Sequence, residues 1–268
     1  MENWKDSILN EHQRLAPDSK FKFSCHKGID CFGECCGDVN IFLTPYDVLR
    51  MKRALNLPSK EFLEKYTLPL ILQDQQLPVS LLKMGDDENK KCPFVTTDGC
   101  MIYEDRPWAC RMYPLGMASS KTETGGEEFC FIADTIALCN GFKEDREWTV
   151  EEWLTDQNVA IYNKKSEAYM QLTLHKCFQD GKGIGPSKVQ MFYEACYNLD
   201  QFREHLFNSN FFDLFDIKDD TIEKIRTDDE ELLDFAINWL RFALFGENTI
   251  KVKDEAWEKK KGDLGLKI

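Results

Sequence analysis

Four cysteines lie within the twelve residues from Cys25 to Cys36, in the stretch SCHKGIDCFGECCGD. Thiolates are soft, charged donors, and several of them together bind zinc or iron strongly enough to fold the loop that carries them. Glycines within the stretch allow the unusual dihedral angles that wrapping a metal requires. A second set follows in CPFVTTDGCMIYEDRPWACRMYP, so the predicted metal ligands of the two sets are Cys25, Cys31, Cys35, Cys36, Cys92, Cys100 and Cys110.

The adjacent thiols Cys35 and Cys36 bear on the kind of metal. Their side chains diverge in most backbone conformations, which makes it awkward for both to bind one small zinc ion. A larger cluster, or two separate centres, accommodates such a pair more easily. Because iron–sulfur clusters generally use four cysteines, the pattern favours an iron–sulfur centre, most simply [4Fe–4S], and leaves zinc as the alternative.

Two further cysteines, Cys130 and Cys139, follow in the apolar segment FCFIADTIALCNGF. We include both among the predicted metal ligands. An equal alternative is that they are buried thiols, because free cysteine is among the most buried residue types. Cys177 and Cys196 lie in helical apolar patterns and are predicted to be core residues.

Two arginines, Arg106 and Arg111, flank Cys110. A guanidinium beside a thiolate site offsets its negative charge and raises the reduction potential of a cluster. We therefore predict that both arginines contact the cofactor. For Arg106, a local bond to Glu104 or Asp105 is an equally good explanation.

Residues typical of helix ends, and apolar residues at helical spacing, indicate which elements surround the cysteines and arginines. Thr44 with Asp47, and Thr149 with Glu152, have the spacing of capping boxes. Apolar residues at three- and four-residue intervals predict helices in AIYNKKSEAYMQLTLHKCF, SKVQMFYEACYNL and DEELLDFAINWLRFALFG. The expected fold is mainly α, with short helices and irregular metal-binding loops in the N-terminal half, a helical C-terminal half and few strands. We divide it into a cysteine-cluster metal-binding domain, residues 1–145, and an acidic helical region packed on it, residues 146–268.

Composition excludes several classes of protein. A hydrophobic fraction of 43% supports a core without disulfides, and eleven cysteines cannot all pair within one chain. The net charge of −13 disfavours binding to nucleic acid and to anionic lipid. No window offers the roughly 20 apolar residues of a membrane span. We expect a cytoplasmic protein with reduced thiols, no nucleic-acid or membrane partner, and an unidentified redox or protein partner.

Three blocks, in the same order and at the same intervals, resemble the YkgJ-type cysteine-cluster family: FSCHKGIDCFGECCGD, LTPYDVLRMKRALNLPSKEFLEKY and CPFVTTDGCMIYEDRPWACRMYPLG. Members of that family are described as zinc- or iron-chelating proteins and sometimes as iron–sulfur oxidoreductases. The resemblance implies that Cys100 and Cys110 are ligands, with Cys92 as their upstream partner. The family's first block has a shorter first interval, which sets Cys25 apart from the three cysteines that follow it.

Three functions remain open from the sequence. The first is a cytosolic iron–sulfur protein, with one [4Fe–4S] centre or two, that acts in redox chemistry or electron transfer. The second is a zinc-binding module with a structural or interaction role. The third is a protein-modifying enzyme, because the cysteine cluster is also similar to that of the flagellin lysine N-methylases. The sequence has no glycine-rich loop after a strand that would indicate an ordinary S-adenosylmethionine site.

Overall fold

The structure, a computed structural model, describes residues 13–72, 76–119, 128–133, 139–179 and 183–255. About 49% of the described residues are helical and 17% are in strands. The chain divides into two compact units, each built from two segments. We call residues 1–43 and 81–167 the cysteine unit, and residues 44–80 and 168–268 the helical unit. Within the described residues, no helix is both long enough and apolar enough to cross a bilayer.

The cysteine unit consists of short strands and short helices. Its strands are β1 (Lys20–Lys22), β2 (Phe42–Leu43), β5 (Val95–Thr96), β6 (Gly99–Cys100), β7 (Leu115–Ser119), β8 (Glu128–Ile132) and β9 (Glu147–Thr149). Antiparallel pairs form between β1 and β9, β5 and β6, and β7 and β8. Two α-helices, α3 (Trp108–Met112) and α4 (Val150–Asp156), lie in this unit, and α5 (Val159–Thr173) begins in it.

An aromatic core fixes the start of the cysteine loop. Phe23 is 2% exposed and contacts Trp153 edge-on, with their ring centroids 5.5 Å apart. The Trp148 indole N–H donates to the carbonyl oxygen of Phe23 at 2.9 Å. Such edge-to-face pairs stabilise a core beyond the area that they bury. The loop that begins at Ser24 therefore leaves from a rigid base.

The helical unit contains the remaining elements. They are α1 (Pro45–Ala54), α2 (Ser59–Tyr66), β3 (Thr67–Leu72), β4 (Leu77–Leu82), α6 (Lys176–Gln179), α7 (Pro186–Tyr197), α8 (Leu199–Phe207), α9 (Phe211–Leu214), α10 (Asp219–Thr227) and α11 (Asp229–Phe245). The three helices predicted from apolar spacing are present, and α11 ends at Gly246 in the left-handed conformation, with φ of 71°.

Both capping boxes are confirmed. The Thr44 hydroxyl accepts from the Asp47 amide at 3.1 Å, and the Asp47 carboxylate accepts from the Thr44 amide at 2.8 Å. Thr149 and Glu152 make the same reciprocal pair, at 3.1 and 2.8 Å. Because each cap satisfies backbone groups that the first helical turn leaves free, α1 and α4 begin where the sequence predicts.

One feature of the fold differs from the sequence-based expectation. Nine strands among the described residues make the fold more mixed than mainly α, and five of them have only two or three residues, which leave no alternating pattern to recognise. The division at residue 145 stays a prediction. The chain leaves the cysteine unit at Thr44, forms α1 and α2 within the helical unit, and returns at Leu81.

A buried ion network links helices of the helical unit. Lys52 is 5% exposed, and its ammonium lies 2.9 Å from the Asp229 carboxylate and 3.3 Å from that of Asp200. Arg203 also binds Asp229. Burial alone would raise the pKa of both aspartates, but hydrogen bonds from the Ser59 amide to Asp200, from Arg203 to Asp229 and from Lys52 to both lower them below the ordinary value.

This network predicts a specific loss of stability in acid. A depressed carboxyl pKa contributes stability above the ordinary value of 3.8, and that stability is lost as the pH falls through the lower folded value. Replacing both aspartates (Asp200→Asn with Asp229→Asn) should flatten the stability curve below about pH 4. Urea unfolding monitored by circular dichroism across that range measures the effect. The exposed pair Lys60–Glu64 supplies a control, Glu64→Gln, which should leave the curve unchanged.

Candidate metal centre

The loop from Cys25 to Cys36 is a series of tight turns. The amide of Phe32 donates to the carbonyl of Ile29 at 3.0 Å, that of Glu34 to Cys31 at 3.0 Å, and that of Cys36 to Gly33 at 3.2 Å. Gly33 has a φ of +79°, a left-handed conformation that favours glycine. Because the backbone reverses repeatedly, neighbouring cysteines of the loop can face different surroundings.

The end of this loop pairs with the second cysteine block. The Cys92 amide donates to the Cys36 carbonyl at 2.7 Å, and the Asp38 amide donates to the Lys90 carbonyl at 3.1 Å. The Lys91 ammonium lies 3.1 Å from the Glu34 carboxylate, on the exposed side of the pairing. These contacts place Cys36 beside Cys92, although the two are distant in sequence.

The hairpin of β5 and β6 places Cys100 after Cys92 in the second cysteine block. Strands β5 and β6 pair Val95 with Cys100, so Cys92 lies just before the hairpin and Cys100 at its end. The Cys92 sulfur accepts hydrogen bonds from the amides of Phe94 and Val95, and the Cys100 sulfur accepts one from the Ile102 amide. Burial raises the pKa of both thiols, and these hydrogen bonds oppose the rise because they stabilise the thiolate.

Three thiols of the second cysteine block influence the pKa of Cys36. Its pKa is lowered chiefly by a hydrogen bond from the Cys35 thiol, while burial and the nearby thiols of Cys110, Cys92 and Cys100 act in the opposite direction. Helix α3 supplies Cys110. We call Cys36, Cys92, Cys100 and Cys110 the Cys36 group. Its four members come from three separate stretches of the chain, and all of them are partly buried.

A second set of thiols lies around Cys25. The pKa of Cys25 is raised to about 11, chiefly by desolvation and then by the thiols of Cys35, Cys139 and Cys31, in that order of effect. Cys25 and Cys35 are exposed as residues, so this desolvation is local to the sulfur atoms. The Asn140 amide donates to the Cys31 sulfur at 3.2 Å. We call Cys25, Cys31, Cys35 and Cys139 the Cys25 group.

The adjacent pair connects the two groups. The Cys35 thiol donates to the Cys36 sulfur, and this bond is the main reason that the pKa of Cys35 lies far above its ordinary value. Desolvation of the thiol adds to the rise. Cys35 also raises the pKa of Cys25, whereas the three thiols of the second block raise the pKa of Cys36. The two adjacent side chains therefore lie close to each other and do not diverge as the sequence analysis expected.

Cys130 lies apart from these contacts. It is 8% exposed in strand β8, where its carbonyl accepts from the Leu15 amide at 2.8 Å. Its pKa is raised by burial and by Glu128. Cys139 is equally buried, yet it contributes to the surroundings of Cys25. The assignment of Cys130 as a ligand stays a prediction, and its surroundings fit a core thiol. Cys196 is fully buried in α7, as predicted for a core residue.

The two predicted arginines differ in what they contact. Arg106 stacks over the Tyr103 ring, binds the Gln157 side chain, and lies close enough to Cys100 and Cys110 to interact with both. Burial lowers its pKa, and the two thiols oppose that shift. Its guanidinium donates hydrogen bonds to the Tyr103 carbonyl and to the Gln157 side chain.

The Arg111 side chain bridges three backbone carbonyl oxygens. It is 3% exposed, and its guanidinium donates to the carbonyl oxygens of Arg106 at 3.0 Å, Gln157 at 2.8 Å and Glu104. Gln157, which both arginines contact, had no recognisable role in the sequence. No local spacing links it to Arg106 or Arg111, so the sequence offered no indication of this contact.

The donor chemistry of both groups fits zinc or iron, because each group offers four thiols together with backbone N–H donors to sulfur. Among the residues that the structure describes, no three or more His, Cys, Asp or Glu side chains are already arranged to hold a metal ion. The two groups are therefore neighbourhoods of sulfur atoms and not finished coordination shells. Ligand sets of this kind reach their final geometry when metal binds.

Residues 24–146 match the family model CxxCxxCC, whose description reads "Putative zinc- or iron-chelating domain". This match confirms the resemblance to the cysteine-cluster family that the sequence motifs indicate. The match includes every cysteine of the Cys36 and Cys25 groups, and it ends before the predicted helices of the C-terminal half. Searches of the curated proteins and of the solved structures found no match.

The contacts of Arg111 predict that it acts mainly on the fold. Arg111→Ala leaves three carbonyl oxygens without their donor, two of them from buried hydrogen bonds, and should lower the free energy of unfolding by about 3 kcal/mol. Exposed Arg146, whose guanidinium lies 3.9 Å from the Trp148 ring centre, provides the matched control. Arg146→Ala should cost about 0.5 kcal/mol. Urea unfolding of the two variants, at equal metal content, compares their free energies of unfolding. Equal stability with a selective loss of metal from Arg111→Ala would contradict the structural role.

Proposed function

We propose that this protein is an iron–sulfur protein that carries a cluster, [4Fe–4S], on the Cys36 group and acts in redox chemistry or electron transfer. The observation that carries the proposal is the backbone pairing of Cys36 with Cys92, next to the hairpin that ends at Cys100. The thiols of Cys92, Cys100 and Cys110 all influence the pKa of Cys36. Four cysteines are the usual ligand set of such a cluster. When bound, the cluster would supply one-electron transfer.

The surroundings of the Cys36 group support a redox role. The amides of Phe94, Val95 and Ile102 donate to its sulfur atoms, and Arg106 lies beside two of its thiols. Hydrogen bonds to sulfur and nearby positive charge both raise the reduction potential of a cluster, because they stabilise the more negative reduced state. The four residues are partly buried, so a cluster there would lie near the surface, where a partner can exchange electrons with it.

Zinc binding with a structural role is the second candidate. The hairpin of β5 and β6, with Cys92 before it and Cys100 at its end, is a compact turn of the kind that structural zinc sites use. Amide donors to the Cys92 sulfur suit a zinc thiolate as well as an iron thiolate. The two candidates therefore share their ligands and differ in metal and in redox activity.

Anaerobic purification with analysis of iron, acid-labile sulfide and zinc separates the two candidates. We expect iron and sulfide in about equal amounts, broad visible absorption, and a spin-resonance signal on reduction. Cys110→Ser should remove most of the iron held by the Cys36 group. Cys196→Ser is the control, because this thiol is fully buried in the helical unit. A colourless protein with stoichiometric zinc and no sulfide would contradict the iron–sulfur proposal and favour the zinc module.

Arg106 gives a second test of the redox proposal. Arg106→Gln removes positive charge beside Cys100 and Cys110 and should lower the reduction potential by tens of millivolts, on the order expected for one nearby charge. Arg146→Gln removes the same charge at the exposed position over Trp148 and should leave the potential unchanged. Anaerobic redox titration of both variants measures the shift. Equal potentials in the two variants would exclude Arg106 from the electrostatics of the site.

A further inference from the structure

Strand β3 is an apolar strand at the edge of its sheet. Among the described residues, β4 is its one neighbour in that sheet. Leu68, Leu70 and Ile71 are between 40% and 52% exposed, and they are three of the eight large hydrophobic side chains that the described residues expose. Soluble proteins usually cover such an edge or place charges on it, because its free backbone groups can pair with another chain. An apolar edge left open therefore indicates a binding surface.

A cavity of about 470 Å³ lies between β3 and helix α7, both of which belong to the helical unit. Pro69, Leu70 and Ile71 line it in succession. Because successive side chains of a strand point to opposite faces, a cavity that contacts three consecutive residues follows the edge of the strand. Val189 and Tyr193 of α7 contribute further apolar surface. We call this cavity the β3–α7 groove.

Two hydrogen-bond acceptors line the groove near the C-terminal end of α7. Glu194 is the one charged side chain among the described residues that line it, and this side chain is only 17% exposed. His205 lies 2.5 Å from one of its carboxylate oxygens. Asn198 also lines the groove, and its buried Oδ1 has no hydrogen-bond partner within the described part of the chain. An occupant that satisfies these acceptors must bring hydrogen-bond donors.

Charge distinguishes between the occupants that could cover this edge. The chain has a net charge of −13, and the groove itself holds a carboxylate. Two copies of the chain paired at β3 would place these acidic surfaces opposite each other, which like-charge repulsion opposes. A basic partner is attracted by the same field, and its lysine or arginine side chains are donors that match the two acceptors. Charge complementarity therefore favours a basic partner over a second copy.

We propose that the β3–α7 groove binds an extended, apolar segment of a partner protein that carries a lysine or an arginine. Apolar side chains of the segment would pack along β3, and its basic side chain would donate to Glu194 and to the Asn198 oxygen. Pro69 cannot donate to an added strand, so side-chain contacts would supply most of the affinity. No cysteine lines the groove among the described residues, so the proposal does not rest on the metal.

Selection of peptides by the full-length protein tests the groove. A displayed library of random octapeptides is the probe, and we expect the enriched sequences to combine apolar residues with a lysine or an arginine. A synthetic peptide of the consensus sequence should bind Glu194→Gln about tenfold more weakly than the wild type, because a charge-assisted hydrogen bond is lost. Replacing the basic residue of the peptide by methionine should cost the wild type the same factor and the variant much less.

A further variant tests the apolar edge itself. Ile71→Ser removes an exposed apolar contact without disturbing the core, and it should weaken binding of the same peptide several-fold. Glu223→Gln and Ile161→Ser are the matched controls, because they change an exposed carboxylate and an exposed apolar side chain that do not line the groove. Both controls should bind the peptide as the wild type does.

The outcomes separate this proposal from its alternatives. Enriched peptides that bind Glu194→Gln and Ile71→Ser as tightly as the wild type would overturn it, and so would a selection that enriches acidic sequences or none. Sedimentation that shows a dimer of the wild type but not of Ile71→Ser would assign the edge to a second copy instead. Iron and zinc contents enter neither measurement, so a failure of the proposed function would leave this result unaffected.

Discussion

The hydrogen bond from the Cys92 amide to the Cys36 carbonyl is the contact on which the metal site depends. It joins two cysteine blocks that the chain separates by an excursion through α1, α2, β3 and β4 of the helical unit. Without this pairing, Cys36 would belong to the first loop alone and the hairpin thiols would have no fourth partner. Ion pairs beside it, such as Lys91 with Glu34, are exposed and add little. The backbone bond therefore sets the register of the whole site.

The aromatic core supplies the other fixed point. Phe23 lies directly before the cysteine loop, and its burial contributes about 2 kcal/mol of hydrophobic stabilisation. Its amide also donates to the Arg146 carbonyl at 2.9 Å, and its ring packs against Trp153. The loop is thus held at its start by packing and at its end by the pairing with Cys92. Between these points Ile29 is buried and Cys31 packs against the core, whereas Cys25 and Cys35 stay exposed.

Local patterns were predictable from the sequence, and distant contacts were not. The capping boxes at Thr44 and Thr149 and the helix ending at Gly246 depend on residues a few positions apart, so their spacing was sufficient. Cys130 and Cys139 look alike in sequence, because each lies in an apolar segment. Only the packing of the segment after Cys139 against the first loop separates them. The partners of Arg111 are backbone carbonyls, which no side-chain pattern encodes.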